Sequence, residues 1–117
     1  WYAEAFGFVI ISRRVRDFNS KLMDYFIVTQ SRDGTRVNIS GARSNETLPE
    51  IGSGVHEGLE HFGITVPNIN EELERLQKLG AVVLEQPIET PEGAFLAFIQ
   101  TPYDKSRVEI AQVPDSI

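Results

Sequence analysis

The chain contains no cysteine, which excludes both disulfide bonds and thiolate metal sites. Any bound metal must therefore be held by imidazole nitrogen or by carboxylate, amide or water oxygen. Histidine is scarce as well. There are only 2 histidines among 117 residues, so the position of each one in the fold matters to any hypothesis about metal chemistry.

Positive charge is also in short supply. The chain has 11 lysines and arginines against 17 aspartates and glutamates, and its formal net charge is −6. Because proteins bind nucleic-acid phosphates through clustered Lys and Arg, this balance argues against a nucleic-acid partner and leaves cationic small molecules open. No apolar run approaches the roughly 20 residues of a membrane span, so we expect no membrane partner.

The composition is that of one ordinary globular domain. Apolar residues make up 41% and charged residues 24% of the chain, and this length suffices to bury a single core. The sequence begins Trp-Tyr-Ala-Glu without methionine, and we interpret its start as trimmed. A signal peptide further upstream is therefore an open alternative, and the cytoplasm is the default expectation for location.

The second half of the chain has the clearest pattern. Residues 59–66 alternate between apolar and polar, which predicts a strand with His61 on its polar face. Asn68 then suits a helix N-cap, and Glu71 three residues later completes a capping-box pattern. Gly80 suits the end of that helix. Three further strands joined by hairpin turns are predicted at residues 81–89, 94–100 and 106–112. The order is β-α-β-β-β.

A weak internal repeat relates the two halves. The stretch DGTRVNIS (33–40) matches DKSRVEIA (104–111), and AFGFVI (5–10) matches KLGAVV (78–83), in the same order and at nearly equal offsets. A duplicated module explains both matches. The first half is then the end of a helix and three strands, with a hairpin turn at Asp33-Gly34. These elements are predicted at residues 1–6, 8–15, 23–30 and 35–40.

The predicted organisation is one domain with two modules, residues 1–41 and 58–117, joined by a polar linker at 42–57. In this sequence the first module lacks its opening strand and the start of its helix. The counterpart of His61 would therefore lie upstream of Trp1.

His61 and Glu109 are the candidate metal ligands. If Val108 and Ile110 pack on the helix, Glu109 points to the opposite face of the sheet, which is also the face of His61. An imidazole nitrogen and a carboxylate oxygen there suit Zn, Ni, Mn, Co or Fe(II), and Glu109 could also act as a general base. The alternative is that both are ordinary polar residues of a sheet surface, with Glu109 paired to an arginine.

Two arginines extend this hypothesis. Arg36 and Arg107 occupy matching positions in the repeat and are candidates to hold an anionic group of a substrate. The alternative is that both are solvated strand residues. Asn38 aligns with Glu109 in the repeat and can offer an amide oxygen but no charge.

The duplicated βαβββ unit and the motifs LEHFGITVPNINEELERLQKLGAVV and TPEGAFLAFIQTPYDKSRVEIAQ resemble the vicinal oxygen chelate superfamily. This is the group of glyoxalases, bleomycin-resistance proteins and extradiol dioxygenases. The resemblance implies an α+β fold in which two βαβββ modules form a curved mixed sheet around a cleft, and it implies a homodimer. In that family a His on each module's first strand and a Glu on its last strand bind the metal, and His61 and Glu109 match those positions in the second module.

The resemblance implies a divalent-metal-dependent lyase, isomerase or dioxygenase that acts on a small substrate with adjacent oxygens. Asn38 departs from the charged residue of glyoxalase-I-like enzymes, which counts against that activity and leaves Asn38 as a candidate substrate contact. A metal-free protein of the bleomycin-resistance type, which binds and sequesters a drug, is the alternative. A degenerate module that serves only in assembly is a third.

Overall fold

A computed structural model of the chain describes residues 1–17 and 23–115, which contain two helices and seven strands. The elements are α1 (Tyr2–Phe6), β1 (Val9–Asp17), β2 (Met23–Gln30), β3 (Arg36–Ser40), β4 (His61–Thr65), α2 (Ile69–Lys78), β5 (Val82–Glu89), β6 (Phe95–Gln100) and β7 (Arg107–Gln112). They form two compact units, Trp1–Glu50 and Ile51–Ile117, each with its own sheet. The predicted α+β class is confirmed.

The first unit is α1 followed by an antiparallel sheet in the order β1-β2-β3. Within its described residues no strand precedes α1. The predicted turn at Asp33-Gly34 is confirmed. Gly34 has φ 92°, which only glycine adopts easily, and the Thr35 amide donates to Asp33 Oδ1 over 3.0 Å. Hydrogen bonds from the Ser31 hydroxyl and then from Thr35 lower the pKa of Asp33 from 3.8 to about 2.

Helix α2 forms as its sequence predicts. Asn68 is the N-cap, and its side chain accepts a hydrogen bond from the Glu71 amide over 3.1 Å. Acidic residues lie in the first turn and basic residues in the last, which suits the helix dipole. The chain leaves the helix at Gly80, whose φ of 99° is in the left-handed region.

The sheet of the second unit has the order β4-β7-β6-β5, in which β4 and β7 are parallel and the other pairs antiparallel. Its core lies between this sheet and α2. The fully buried members are Leu76 on the helix and Ala97, Ile99, Val108 and Ile110 on the sheet. Because successive strand residues point to opposite faces, burial of Val108 and Ile110 directs Glu109 away from the helix.

Phe62 shares the helix side of the sheet with Val108, its register partner, yet 39% of it stays exposed. β4 is an edge strand of this sheet, so within the sheet Phe62 has a neighbouring strand on one side only. No helix among the described residues is long and apolar enough to cross a membrane.

Candidate functional site

His61 and Glu109 lie on adjacent strands and face each other. In the β4–β7 register His61 is opposite Arg107 and Gly63 is opposite Glu109. His61 Nε2 is 3.7 Å from Glu109 Oε2, and the two side chains are 34% and 26% exposed. The structure therefore brings the two predicted ligands together on the sheet face opposite α2.

Gly63 leaves room for the Glu109 carboxylate. A Cβ atom built on Gly63 would lie 3.3 Å from Glu109 Oε2, closer than an ordinary van der Waals contact. Because residue 63 is glycine, no side chain at this position of β4 crowds the carboxylate. Sequence reasoning did not single out Gly63, because its importance depends on the β4–β7 register.

Glu60 contacts the other nitrogen of the imidazole. Its Oε1 is 2.9 Å from His61 Nδ1, and its side chain is only 18% exposed. Sequence reasoning missed this residue. Glu60 immediately precedes β4, so the alternation that sorts strand residues between faces does not apply to it. An acidic residue adjacent to the histidine was the only available signal.

The guanidinium of Arg107 is held by several partners, and its side chain is 11% exposed. Its Nε lies 3.2 Å from Glu60 Oε1, and its Nη2 donates to Glu85 Oε2 over 2.7 Å. Its Nη1 donates to the Ser53 carbonyl over 3.3 Å. Arg107 also lies over the ring of Phe98, 4.2 Å from the centroid. Its predicted role in substrate binding stays a prediction.

Phe98 on β6 contacts both His61 and Arg107 through its ring. It pairs with Glu109 in the β6–β7 register, and its ring meets the His61 imidazole edge-on at 5.1 Å between centroids. We call Glu60, His61, Phe98, Arg107 and Glu109 the β4–β7 site. With the nearby Glu85, it carries three carboxylates against one guanidinium.

Arg36 and Asn38 lie in the first unit, on β3, and both are exposed. Arg36 pairs with Gln30 in the β2–β3 register, just as Arg107 pairs with Gln100 in the β6–β7 register. The two arginines thus hold equivalent positions in the two sheets. The roles of Arg36 and Asn38 in substrate binding stay predictions.

The pair His61 and Glu109 fits a divalent cation. Nitrogen and carboxylate ligands lie about 2.0–2.2 Å from such an ion, so two ligand atoms are at most about 4.4 Å apart. The 3.7 Å between Nε2 and Oε2 satisfies that limit. The described residues contain no group of three or more His, Asp or Glu able to hold a metal, and this pair would supply two ligands.

The family model of the Glyoxalase/Bleomycin resistance protein/Dioxygenase superfamily matches residues 1–110. This match covers nearly the whole sequence, and the chain therefore belongs to that superfamily. No curated protein matches the chain closely.

Solved structures share the fold. A glyoxalase family protein from Bacillus cereus is 18% identical with a TM-score of 0.81, and the match covers 93% of this chain and 80% of that one. A glyoxylase/bleomycin resistance protein/dioxygenase domain from Frankia sp. EAN1pec is 18% identical with a TM-score of 0.74, covering 100% and 82%. A glyoxalase I mutant from Zea mays is 22% identical with a TM-score of 0.63, covering 97% and 39%. At these identities the likeness concerns the fold alone.

Proposed function

We propose that this chain is a divalent-metal-dependent lyase, isomerase or dioxygenase acting on a small substrate with adjacent oxygens. The observation that supports the proposal is the pair His61 Nε2 and Glu109 Oε2, 3.7 Å apart on the face opposite α2. Membership of the superfamily supports it as well.

In this proposal His61 and Glu109 bind the cation through Nε2 and Oε2. A bound divalent cation supplies Lewis-acid chemistry, because it polarises substrate oxygens and stabilises the negative charge that develops on them. Glu109 remains partly exposed, so its carboxylate can also accept a proton from a substrate carbon or hydroxyl. The ring of Phe98 lies beside the pair on β6, opposite Glu109 in the register and edge-on to the His61 imidazole.

The test is the metal content of the purified protein, measured by plasma mass spectrometry. We expect about one Mn, Fe, Ni, Zn or Co per chain or per two chains, lost in His61→Ala and in Glu109→Ala. The matched control is His56→Ala, which removes the other histidine, whose ring Nδ1 lies 2.7 Å from the neighbouring Glu57 carbonyl oxygen. Metal retained in all three variants, or no metal after loading with excess divalent ions, would contradict the proposal.

A metal-free binding protein of the bleomycin-resistance type is the second candidate. The observation that favours it is the excess of carboxylates around an aromatic ring, with Glu60, Glu85 and Glu109 near Phe98. Such a surface suits a cationic aromatic ligand. Stoichiometric binding of a cationic aromatic drug in the presence of a chelator, measured by calorimetry and lost in Phe98→Ala, would support this candidate over the metalloenzyme.

A further inference from the structure

We propose that Glu60 is a positioning residue that fixes the tautomer and orientation of His61, and that Arg107 holds Glu60 in place for this task. The inference rests on the proposed metal-dependent function and gives two neighbouring residues a role in it. It is argued from three successive contacts: Arg107 with Glu60, Glu60 with His61, and His61 with Glu109.

The contact between Glu60 and His61 selects one tautomer. A neutral imidazole carries one N–H donor and one acceptor nitrogen, and an ionised carboxylate can only accept. His61 Nδ1 is 2.9 Å from Glu60 Oε1, so the proton of the neutral ring belongs on Nδ1. The lone pair of His61 is then on Nε2, which is the nitrogen that faces Glu109.

This tautomer leaves two acceptors facing each other. His61 Nε2 and Glu109 Oε2 are 3.7 Å apart, which is longer than a hydrogen bond. A lone pair and a carboxylate oxygen at this distance repel weakly when nothing lies between them and attract a cation strongly. Glu60 thereby prepares the pair for a cation, as carboxylates behind metal-binding histidines do in general.

Arg107 explains why Glu60 stays in this position. Glu60 lies outside the strand, so the sheet does not fix its side chain. Arg107 Nε lies 3.2 Å from the same Oε1 atom, and Arg107 is itself fixed by Glu85 and by Phe98. The β4–β7 register sets Arg107 directly beside His61. At 18% and 11% exposure, this ion pair is screened by water far less than an ordinary surface pair.

A purely structural role is the rival explanation. In that case the Glu60–Arg107 pair only fastens the loop before β4 to the sheet, and the imidazole contact is incidental. The two explanations differ in one observable, the tautomer of His61 in the protein without metal.

The first experiment reads that tautomer by long-range proton–nitrogen NMR of the metal-free protein, in a buffer in which the spectrum shows a single N–H on the His61 ring. We expect the Nδ1–H tautomer for His61, in contrast to free histidine, which favours Nε2–H. Glu60→Ala shifts His61 toward Nε2–H, whereas Glu60→Gln retains an acceptor oxygen and shifts it less. The control Glu57→Ala removes an exposed carboxylate of the same loop, and His56 is an internal reference.

The second experiment measures Co²⁺ affinity by calorimetry in the same variants. We expect the Kd to rise about 10- to 100-fold in Glu60→Ala, less in Glu60→Gln, and not at all in Glu57→Ala. A smaller rise in Arg107→Lys would support the anchoring role, because lysine keeps the charge but cannot contact Glu60 and Glu85 at once through two nitrogens of one planar group.

The outcomes separate the two proposals. An Nε2–H tautomer in the unmodified protein, or a tautomer that Glu60→Ala leaves unchanged, overturns the positioning role. A tautomer that shifts as expected in a protein that binds no Co²⁺ supports the positioning of His61 and overturns the metal-dependent function. Thermal unfolding of each variant verifies that it folds.

Discussion

The substitution Gly63→Ala tests whether the Glu109 carboxylate needs the space beside β4. The added Cβ would lie 3.3 Å from Glu109 Oε2 and 3.8 Å from Glu109 Cβ. The first distance is shorter than an ordinary contact, so the carboxylate must move by a few tenths of an ångström. The backbone itself is not strained, because Gly63 is not among the glycines with positive φ. The perturbation therefore acts on the side chain of Glu109.

We expect Gly63→Ala to stabilise the fold slightly or leave its stability unchanged, and to weaken metal binding. Replacing glycine by alanine in an unstrained backbone stabilises a protein by about 0.4–1 kcal/mol, because the unfolded chain loses freedom. The free energy of unfolding should thus stay constant or rise slightly. Metal affinity should fall, because a shift of Glu109 Oε2 changes its position relative to His61 Nε2, 3.7 Å away, and distorts the geometry of the two ligands. We expect a roughly tenfold higher Kd, which corresponds to about 1.4 kcal/mol.

The assay combines thermal unfolding with calorimetric titration of Co²⁺. Gly54→Ala is the matched control, since Gly54 belongs to the same unit, has no positive φ, and a Cβ built there has nothing within 4 Å. Gly54→Ala should restrict the unfolded chain as Gly63→Ala does, and it should leave the Kd for Co²⁺ unchanged. Unchanged affinity in Gly63→Ala, together with loss of binding in Glu109→Ala, would refute the reasoning about space beside the carboxylate.

Three further predictions concern stability. Leu76→Ala should lower the free energy of unfolding by about 2–5 kcal/mol in urea denaturation, because the side chain is fully buried, whereas Leu59→Ala, at 92% exposure, should change it by no more than about 0.5 kcal/mol. Asn68→Ala should cost about 0.5–2 kcal/mol through loss of the helix cap, with Asn70→Ala on the exposed surface of α2 as control. The pKa of Asp33 is lowered to about 2, so its contribution to the turn should be complete above the ordinary value of 3.8 and be lost as pH falls through about 2, which NMR titration of the carboxylate can follow.

Local pattern was enough to predict one strand of the first unit and the helix cap of the second. The strand Met23–Gln30 and the cap at Asn68 were predicted as they are found, because both depend on residues close in sequence. The burial of Val108 and Ile110 follows from alternation along one strand. The first strand extends two residues beyond the predicted Val15, to Asp17, where charged residues continue an antiparallel pairing that hydrophobic pattern does not reveal.

The contacts around the imidazole depend on residues far apart in sequence. Arg107 reaches Glu85 only because β5 and β6 pair with a register shift between Val83 and Glu85, and a shift of this kind leaves no mark in a hydrophobic pattern. Ser53 was predicted to lie in a linker on account of its polar neighbours. In the structure its hydroxyl donates to Gln100 Oε1 over 2.7 Å, so this part of the segment packs on the second sheet.

The parallel pairing of β4 with β7 has a consequence for how the second unit folds. It joins the first strand of the unit to the last, and one helix and two strands separate them along the sequence. His61 on β4 and Glu109 on β7 therefore come together only when the last strand, β7, docks beside β4. Contacts so distant in sequence form slowly, because the loop-closure entropy is lost before any contact compensates for it. A cation bound by both residues would therefore stabilise the docked position of β7, and the exchange of amide protons along β7 would slow as the cation concentration rises above its Kd.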